Sequence, residues 1–185
     1  MNHWYTSDHH FGHKRIIELA NRSCFASVEE MDEAMIKRWN TVVAPGDLVY
    51  HLGDFSFGPQ ADYLPRLNGE KHLVLGNHDP KRMRGRDNAG WASVNEMLHI
   101  KAPDGTRLVL CHYAMRVWNR SHRAVIHLYG HSHGSLAGDS QSCDVGVDCW
   151  DFVPVSLDAI KARLRGSKPR LEPDHHVSRI TLAHC

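Results

Sequence analysis

Five short apolar runs in this chain each end on side chains able to hold a metal ion. Leu73-Val74-Leu75 runs into Gly76-Asn77-His78-Asp79, so a β-favouring segment stops at a turn that presents an amide, an imidazole and a carboxylate together. In the same way Trp4-Tyr5-Thr6 leads to Asp8-His9-His10, and Val49-Tyr50-His51-Leu52 leads to Gly53-Asp54. Leu108-Val109-Leu110-Cys111 leads to His112, and the run from Val125 to Tyr129 leads to Gly130-His131-Ser132-His133. Together these strand ends deliver Asp, His, Asp, Asn, His, His, His and His, which read as one polynuclear metal site. Mixed imidazole and carboxylate donors suit divalent transition ions such as manganese, iron or zinc, whereas magnesium and calcium cages are built mainly from oxygen.

The elements that must position these residues follow from the rest of the pattern. A first strand over about His3 to Ser7 precedes a short helix from Lys14 to Asn21. Ser27-Val28-Glu29-Glu30 has capping-box spacing and opens a helix whose stripe Met31, Met35, Ile36 and Trp39 is core packing. Pro45-Gly46 turns the chain into the second strand, and Gly58-Pro59 starts a helix containing Tyr63, Leu64 and Leu67. Beyond residue 79 the pattern becomes strand-rich: a hairpin of Glu96 to Lys101 and Arg107 to Cys111 about Pro103-Asp104-Gly105, then strands over 125–129 and 144–147. A last helix runs from Ser156 to Leu164. Strand and helix alternating first and strands in succession later define an α/β class. Residues 1–165 read as a single domain, with 166–185 as a C-terminal arm or an edge strand over Val177 to Leu182.

Composition narrows the function classes. A chain of 185 residues with formal charge +1 is no bulk polycation, so any nucleic-acid affinity must come from local clusters. The sixteen histidines are the anomaly, and they are dispersed along the chain. Five cysteines, an odd number without CxxC spacing, argue against a disulfide framework and a thiolate zinc site and for a reducing compartment. With no basic stretch followed by an apolar targeting segment and no run of membrane-spanning length, the expectation is a cytoplasmic protein with no membrane partner.

Taken in order, the motifs resemble those of the calcineurin-like metallophosphoesterase family: DxH at Asp8 and His10, GD at Asp54, GNHD at 76–79, H at His112 and GHxH at 130–133. The resemblance covers roughly residues 3 to 150. It implies an α/β/β/α four-layer sandwich, two mixed β-sheets flanked by helices. It also implies two divalent transition-metal ions, Asp8, His10, Asp54 and His133 holding one and Asp54, Asn77, His112 and His131 the other. A carboxylate can bridge two ions through its two oxygens; an imidazole cannot. The implied chemistry is phosphoester hydrolysis, phosphodiesters favoured, by in-line attack of a metal-bridging hydroxide, with His78 as general acid toward the departing alkoxide. The alternatives are a broad-specificity phosphomonoesterase or nucleotidase and, from another class, a non-catalytic metal-binding scaffold.

One departure from the family pattern stands out. Where many relatives carry GDxxDRG, this chain reads Gly53-Asp54-Phe55-Ser56-Phe57-Gly58-Pro59, which removes the aspartate that steers the histidine and leaves the partner of His78 unidentified. Substrate contacts are assigned to His13, to the basic run holding Arg82, Arg84 and Arg86, and to Arg116. Arg116, Arg120 and Arg123 interleave with Trp118, a composition suited to phosphates beside stacked bases. The partner is thus a phosphate ester, with nucleotides and nucleic acid as candidates.

Overall fold

The computed structural model describes residues 1–80, 83 and 90–170. In chain order its strands are β1 (His3–Thr6), β2 (Leu48–His51), β3 (Glu70–Val74), β4 (Ser93–Asn95), β5 (Met97–Lys101), β6 (Arg107–Cys111), β7 (Ile126–Tyr129), β8 (Ser142–Asp144) and β9 (Val155–Ser156). The α-helices are α1 (Ile16–Leu19), α2 (Val28–Val42) and α3 (Leu157–Arg165). One sheet has the order β4-β3-β2-β1-β9, all parallel except the edge pair β1–β9, and the other has the order β5-β6-β7-β8, with only the β5–β6 hairpin antiparallel. These are the two mixed sheets, flanked by helices, that the sequence implies.

Side-chain alternation explains the layering, because successive residues of a strand face opposite sides. Val49 and Leu73 join Met31, Met35, Ile36 and Trp39 of α2 in one core, while Tyr50 and Val74 turn the other way to meet Leu108, Leu110 and Leu128 of the second sheet. The first sheet is thus buried on both faces, as a parallel sheet requires. Helix α2 starts at Ser27, whose hydroxyl accepts the Glu30 N–H at 3.2 Å while the Glu30 carboxylate takes the Ala26 N–H at 2.9 Å. Helix α3 is capped by Ser156 and sends Leu157, Ile160 and Leu164 into the core between the sheets.

Three elements differ from the sequence expectation, each for a local reason. The helix expected over 14–21 is only Ile16–Leu19, because Asn21 takes a left-handed φ of 53° and turns Arg22 inward. The helix expected after Pro59 is two 3-10 turns, Gln60–Asp62 and Leu64–Arg66. Pro65 lacks the N–H and disfavours α geometry at Leu64, so the turns cannot fuse. Trp118 is not a base-stacking platform: it is buried, packs with Val109 and Val125 over the outer face of the second sheet, and donates its indole N–H to the Val125 carbonyl at 2.8 Å. The Arg170 guanidinium lies 4.0 Å over its ring, so the start of the C-terminal segment is tied across this face. The strand expected over 177–182 lies outside the described residues.

Trp118 is thus the apolar cover of the second sheet. Trp118→Ala should lower the unfolding free energy by about 3–5 kcal/mol, the range for truncating a buried aromatic. Urea denaturation checks this; an unchanged midpoint would show that the second sheet needs no such cover.

Candidate metal centre

Because β1, β2 and β3 are parallel, and β6 and β7 are parallel, their carboxyl ends lie on the same edges of the two sheets, where open α/β sheets bind ligands. A bridge between Ser7 and Gly146 joins the two edges. The loops after β1 and β2 zip together through backbone bonds: Asp8 N–H to Gly53 O, His10 N–H to Asp54 O and Phe11 N–H to Phe55 O, each 3.0 Å. Gly53 must be glycine, since its φ is +98° and a Cβ would fall 2.5 Å from the Gly76 nitrogen. A Cβ on Gly76 would in turn collide with the Asp54 carboxylate.

The backbone itself is bent to bring the donors in. Asp8, His10, Asp54, His131 and His133 all have φ between 45° and 68°, the left-handed region that non-glycine residues avoid at a cost of about 1–3 kcal/mol each. Two clusters result, Asp8 with His10 and His133, and Asp54 with His112 and His131. Asp54 Oδ2 lies between them, 3.6 Å from His10 Nε2 and 3.6 Å from His112 Nε2. Asn77 Oδ1 is 3.1 Å from His112 Nε2, so Asn77 joins the second cluster.

Do these residues fit metal ions? The His112 Nδ1–H donates to the Leu52 carbonyl at 2.7 Å, which leaves Nε2 as a lone pair, and burial lowers the ring's pKa so that it stays neutral. That lone pair faces Asn77 Oδ1 and Asp54 Oδ2 with no proton among the three, an arrangement that a cation satisfies and a hydrogen bond does not. In the first cluster the buried His10 ring has no hydrogen-bond partner for either nitrogen, and burial pulls its pKa to about 2. Burial likewise pushes the Asp8 carboxyl up to about 8, assisted by the charges of Asp54 and Asp144. The pocket is short of positive charge, and the residues fit.

His133 is set by residues that no motif announces. Its Nδ1–H donates to Asp148 Oδ2 at 2.7 Å, directing Nε2 inward. Burial opposes a charged ring there, but the Asp148 hydrogen bond and the Asp8 charge outweigh it and raise the pKa. Asp148 in turn takes two bonds from Arg22, Nε at 2.7 Å and Nη2 at 2.8 Å, and Arg22 also donates to the carbonyls of Asp8 at 2.7 Å and His9 at 2.9 Å. Such outer partners fix ring tautomer and raise ligand basicity.

His78 stands at the mouth of the site, half exposed, with Nε2 4.0 Å from Asp54 Oδ2 and its ring 4.9 Å from that of Phe57. Asp79 does not pair with it: the carboxylate accepts the N–H groups of Gly76 (2.8 Å), Asp54 (2.8 Å) and Phe55 (3.2 Å), stapling two loops together. His9 points away from the clusters, bonded through Nδ1 to His51 Nε2 at 2.9 Å in the core below. His13 lines a cleft of about 380 Å³ with His10, Asp54, Asn77, His78, His131 and His133. Arg116 is exposed and is not among the residues lining that cleft, while Arg82, Arg84 and Arg86 lie outside the described residues. A cleft of similar volume near Met1, Trp4 and Asp104, at the opposite strand ends, gathers no such set of donors.

If Asp148 orients His133, Asp148→Asn should weaken metal affinity 10- to 100-fold, the usual loss on removing such a partner. Titration of the metal-free protein with manganese reads this directly. Affinity equal to wild type would mean that His133 needs no such support.

Comparison with known proteins agrees with the geometry. Residues 1–150 match the family model described as a calcineurin-like phosphoesterase superfamily domain. The gene 66 protein of Mycobacterium phage L5 is 31% identical, with 86% of this chain and 92% of that protein aligned. An uncharacterized protein of Methanocaldococcus jannaschii is also 31% identical, over 83% of this chain and 86% of its own. Among solved structures, a protein of unknown function from Aquifex aeolicus shares the fold with a TM-score of 0.65 at 23% identity, covering 88% of this chain and 98% of that one. With two sheets meeting at a cluster of histidine and aspartate, and with a family match over residues 1–150, the chain belongs to the calcineurin-like phosphoesterase superfamily.

Proposed function

We propose that this protein is a dinuclear-metal-dependent phosphodiesterase. The observation that supports the reading is Asp54 Oδ2, 3.6 Å from an imidazole nitrogen of each cluster, a position from which one carboxylate could serve both. Asp8, His10, Asp54 and His133 would hold one ion, and Asp54, Asn77, His112 and His131 the other, as manganese, iron or zinc. When bound, such ions withdraw charge from the phosphoryl oxygens and supply a water-derived nucleophile near neutral pH.

The chain's own groups do the rest. The Leu52 carbonyl holds His112 as an acceptor at Nε2, so it need not shed a proton to bind, while Asp148 fixes the His133 ring through Nδ1 and leaves Nε2 toward the cluster. His78, outside both clusters and half exposed at the cleft, protonates the departing alkoxide at Nε2. Two cavities meet at Asn77, the cleft of about 380 Å³ on the His78 side and one of about 560 Å³ lined by Leu75, Glu96, Met97, Cys111 and Tyr113. A monoester needs room for one organic arm; a diester needs two, which favours the diesterase over the monoesterase. His13, which lines the cleft, and the cationic Arg82, Arg84 and Arg86, which follow Asp79 in the sequence and lie outside the described residues, are the proposed contacts to a nucleotide-type ester. Four described cysteines are free thiols, which suits a cytoplasmic setting.

Two measurements test this. Asp54→Asn should lose both ions by metal analysis, together with activity; retained dinuclear occupancy and full turnover would sink the ligand assignment. His78→Ala should keep most of its rate on p-nitrophenyl esters, whose phenolate departs unprotonated, and lose about 10²-fold or more on alkyl and nucleotide esters. An equal loss on both, with metals retained, would make His78 a positioning residue instead.

A further inference from the structure

The wall of the cleft facing the polar clusters is apolar and open. Phe57 is 49% exposed and Leu19 is 64% exposed, and both line the same cleft as the buried Asp54 carboxylate. Such a patch beside a polar site is an organic-group subsite. The Phe57 ring is not loose: His13 lies parallel to it at 12°, with ring centroids 3.6 Å apart, and His78 leans on it at 4.9 Å. Its orientation is fixed before any ligand arrives, which removes the ordering cost that weakens binding by a mobile side chain. Arg15 lines the same cleft and supplies a cation there. The cavity on the other side of Asn77 carries Glu96 and the exposed Tyr113, a poorer setting for an anionic arm.

We infer that Phe57, clamped by His13, is the stacking platform for a nucleobase on one arm of the diester, and that this platform sets substrate class. The inference rests on the diesterase reading for its substrate and on the Phe57 geometry for its content. An aromatic face and a nearby guanidinium match a nucleoside arm, because every base offers a flat π surface and its sugar phosphate carries negative charge.

The test compares two diesters on the manganese-loaded full-length protein, thymidine 5′-(p-nitrophenyl phosphate) and methyl p-nitrophenyl phosphate. They share a leaving group that needs no proton, so disturbance of the metals or of His78 cancels in the ratio of their kcat/KM values. Phe57→Leu should lower that ratio about tenfold, within the range for losing one base–aromatic stack, and Phe57→Trp should restore it. A ratio unchanged by Phe57→Leu, or lowered instead by Tyr113→Leu, overturns the assignment. Calorimetric binding of thymidine 5′-monophosphate gives a readout independent of turnover: Phe57→Leu should weaken it about tenfold. Should wild type cleave neither ester, the diesterase reading fails and the binding measurement alone decides the platform. Should it cleave both with no dependence on Phe57, the enzyme stands and the platform falls.

Discussion

A guanidinium with a fully buried side chain is tolerable only when its donors all meet acceptors, since an unpaired internal charge costs several kcal/mol. Arg22 meets that condition with two carbonyls of the loop after β1, both oxygens of Asp148 and, for its fifth N–H, the Met31 sulfur. The two anchors belong to different sheets, one following β1 and the other following β8. Neither loop can shift without stripping partners from the same cation, so the distance between Asp8 and His133 is fixed by a residue that touches no candidate ligand side chain directly. Asp79 does the corresponding work on the other flank, where three backbone N–H groups lock the Asp54 and Asn77 turns to each other.

This bracing answers a local need. Five candidate ligands sit in left-handed backbone, and the Asp8 carboxyl lies in a pocket whose burial resists its charge. Left alone, such loops would relax toward ordinary dihedrals and splay the donors apart. The two hydrophobic cores below, with Trp39 and Leu73 on one side of the first sheet and Leu110 and Leu128 on the other, hold the strand ends in place while the loops carry the strain. A metal bound at these residues would therefore be coupled to folding through the same few side chains.

What could be read in the sequence was whatever announces itself locally. An apolar run ending in a metal-ligating side chain is visible at five places, and a capping serine at Ser27 fixes the start of α2 to the residue. Strands as short as β4 and β9 have too few positions to show alternation, and they exist because β3 and β1 offer them an edge. Trp118 among arginines has the composition of a base-binding surface, yet the second sheet needs a cover and takes the indole for it. Arg22 and Asp148 stand 126 positions apart, and neither lies in a motif, so nothing in either neighbourhood marks the pair. A buried arginine shortly after a DxH loop is the one clue available, and it becomes legible only once burial is known.

The pairing of β1 with β9 has a consequence for the order in which the protein is made. Every candidate ligand has left the ribosome once residue 133 is clear, but the strand that closes the edge of β1 and the carboxylate that aims His133 come from residues 148–156. Until that last stretch emerges, the nascent chain exposes the β1 edge and carries ligands without their braces. Its contacts are long-range ones that form late and slowly. Synthesis therefore delivers the candidate ligands first and the residues that brace them last, so the site can take its final geometry only after residues 148–156 have emerged.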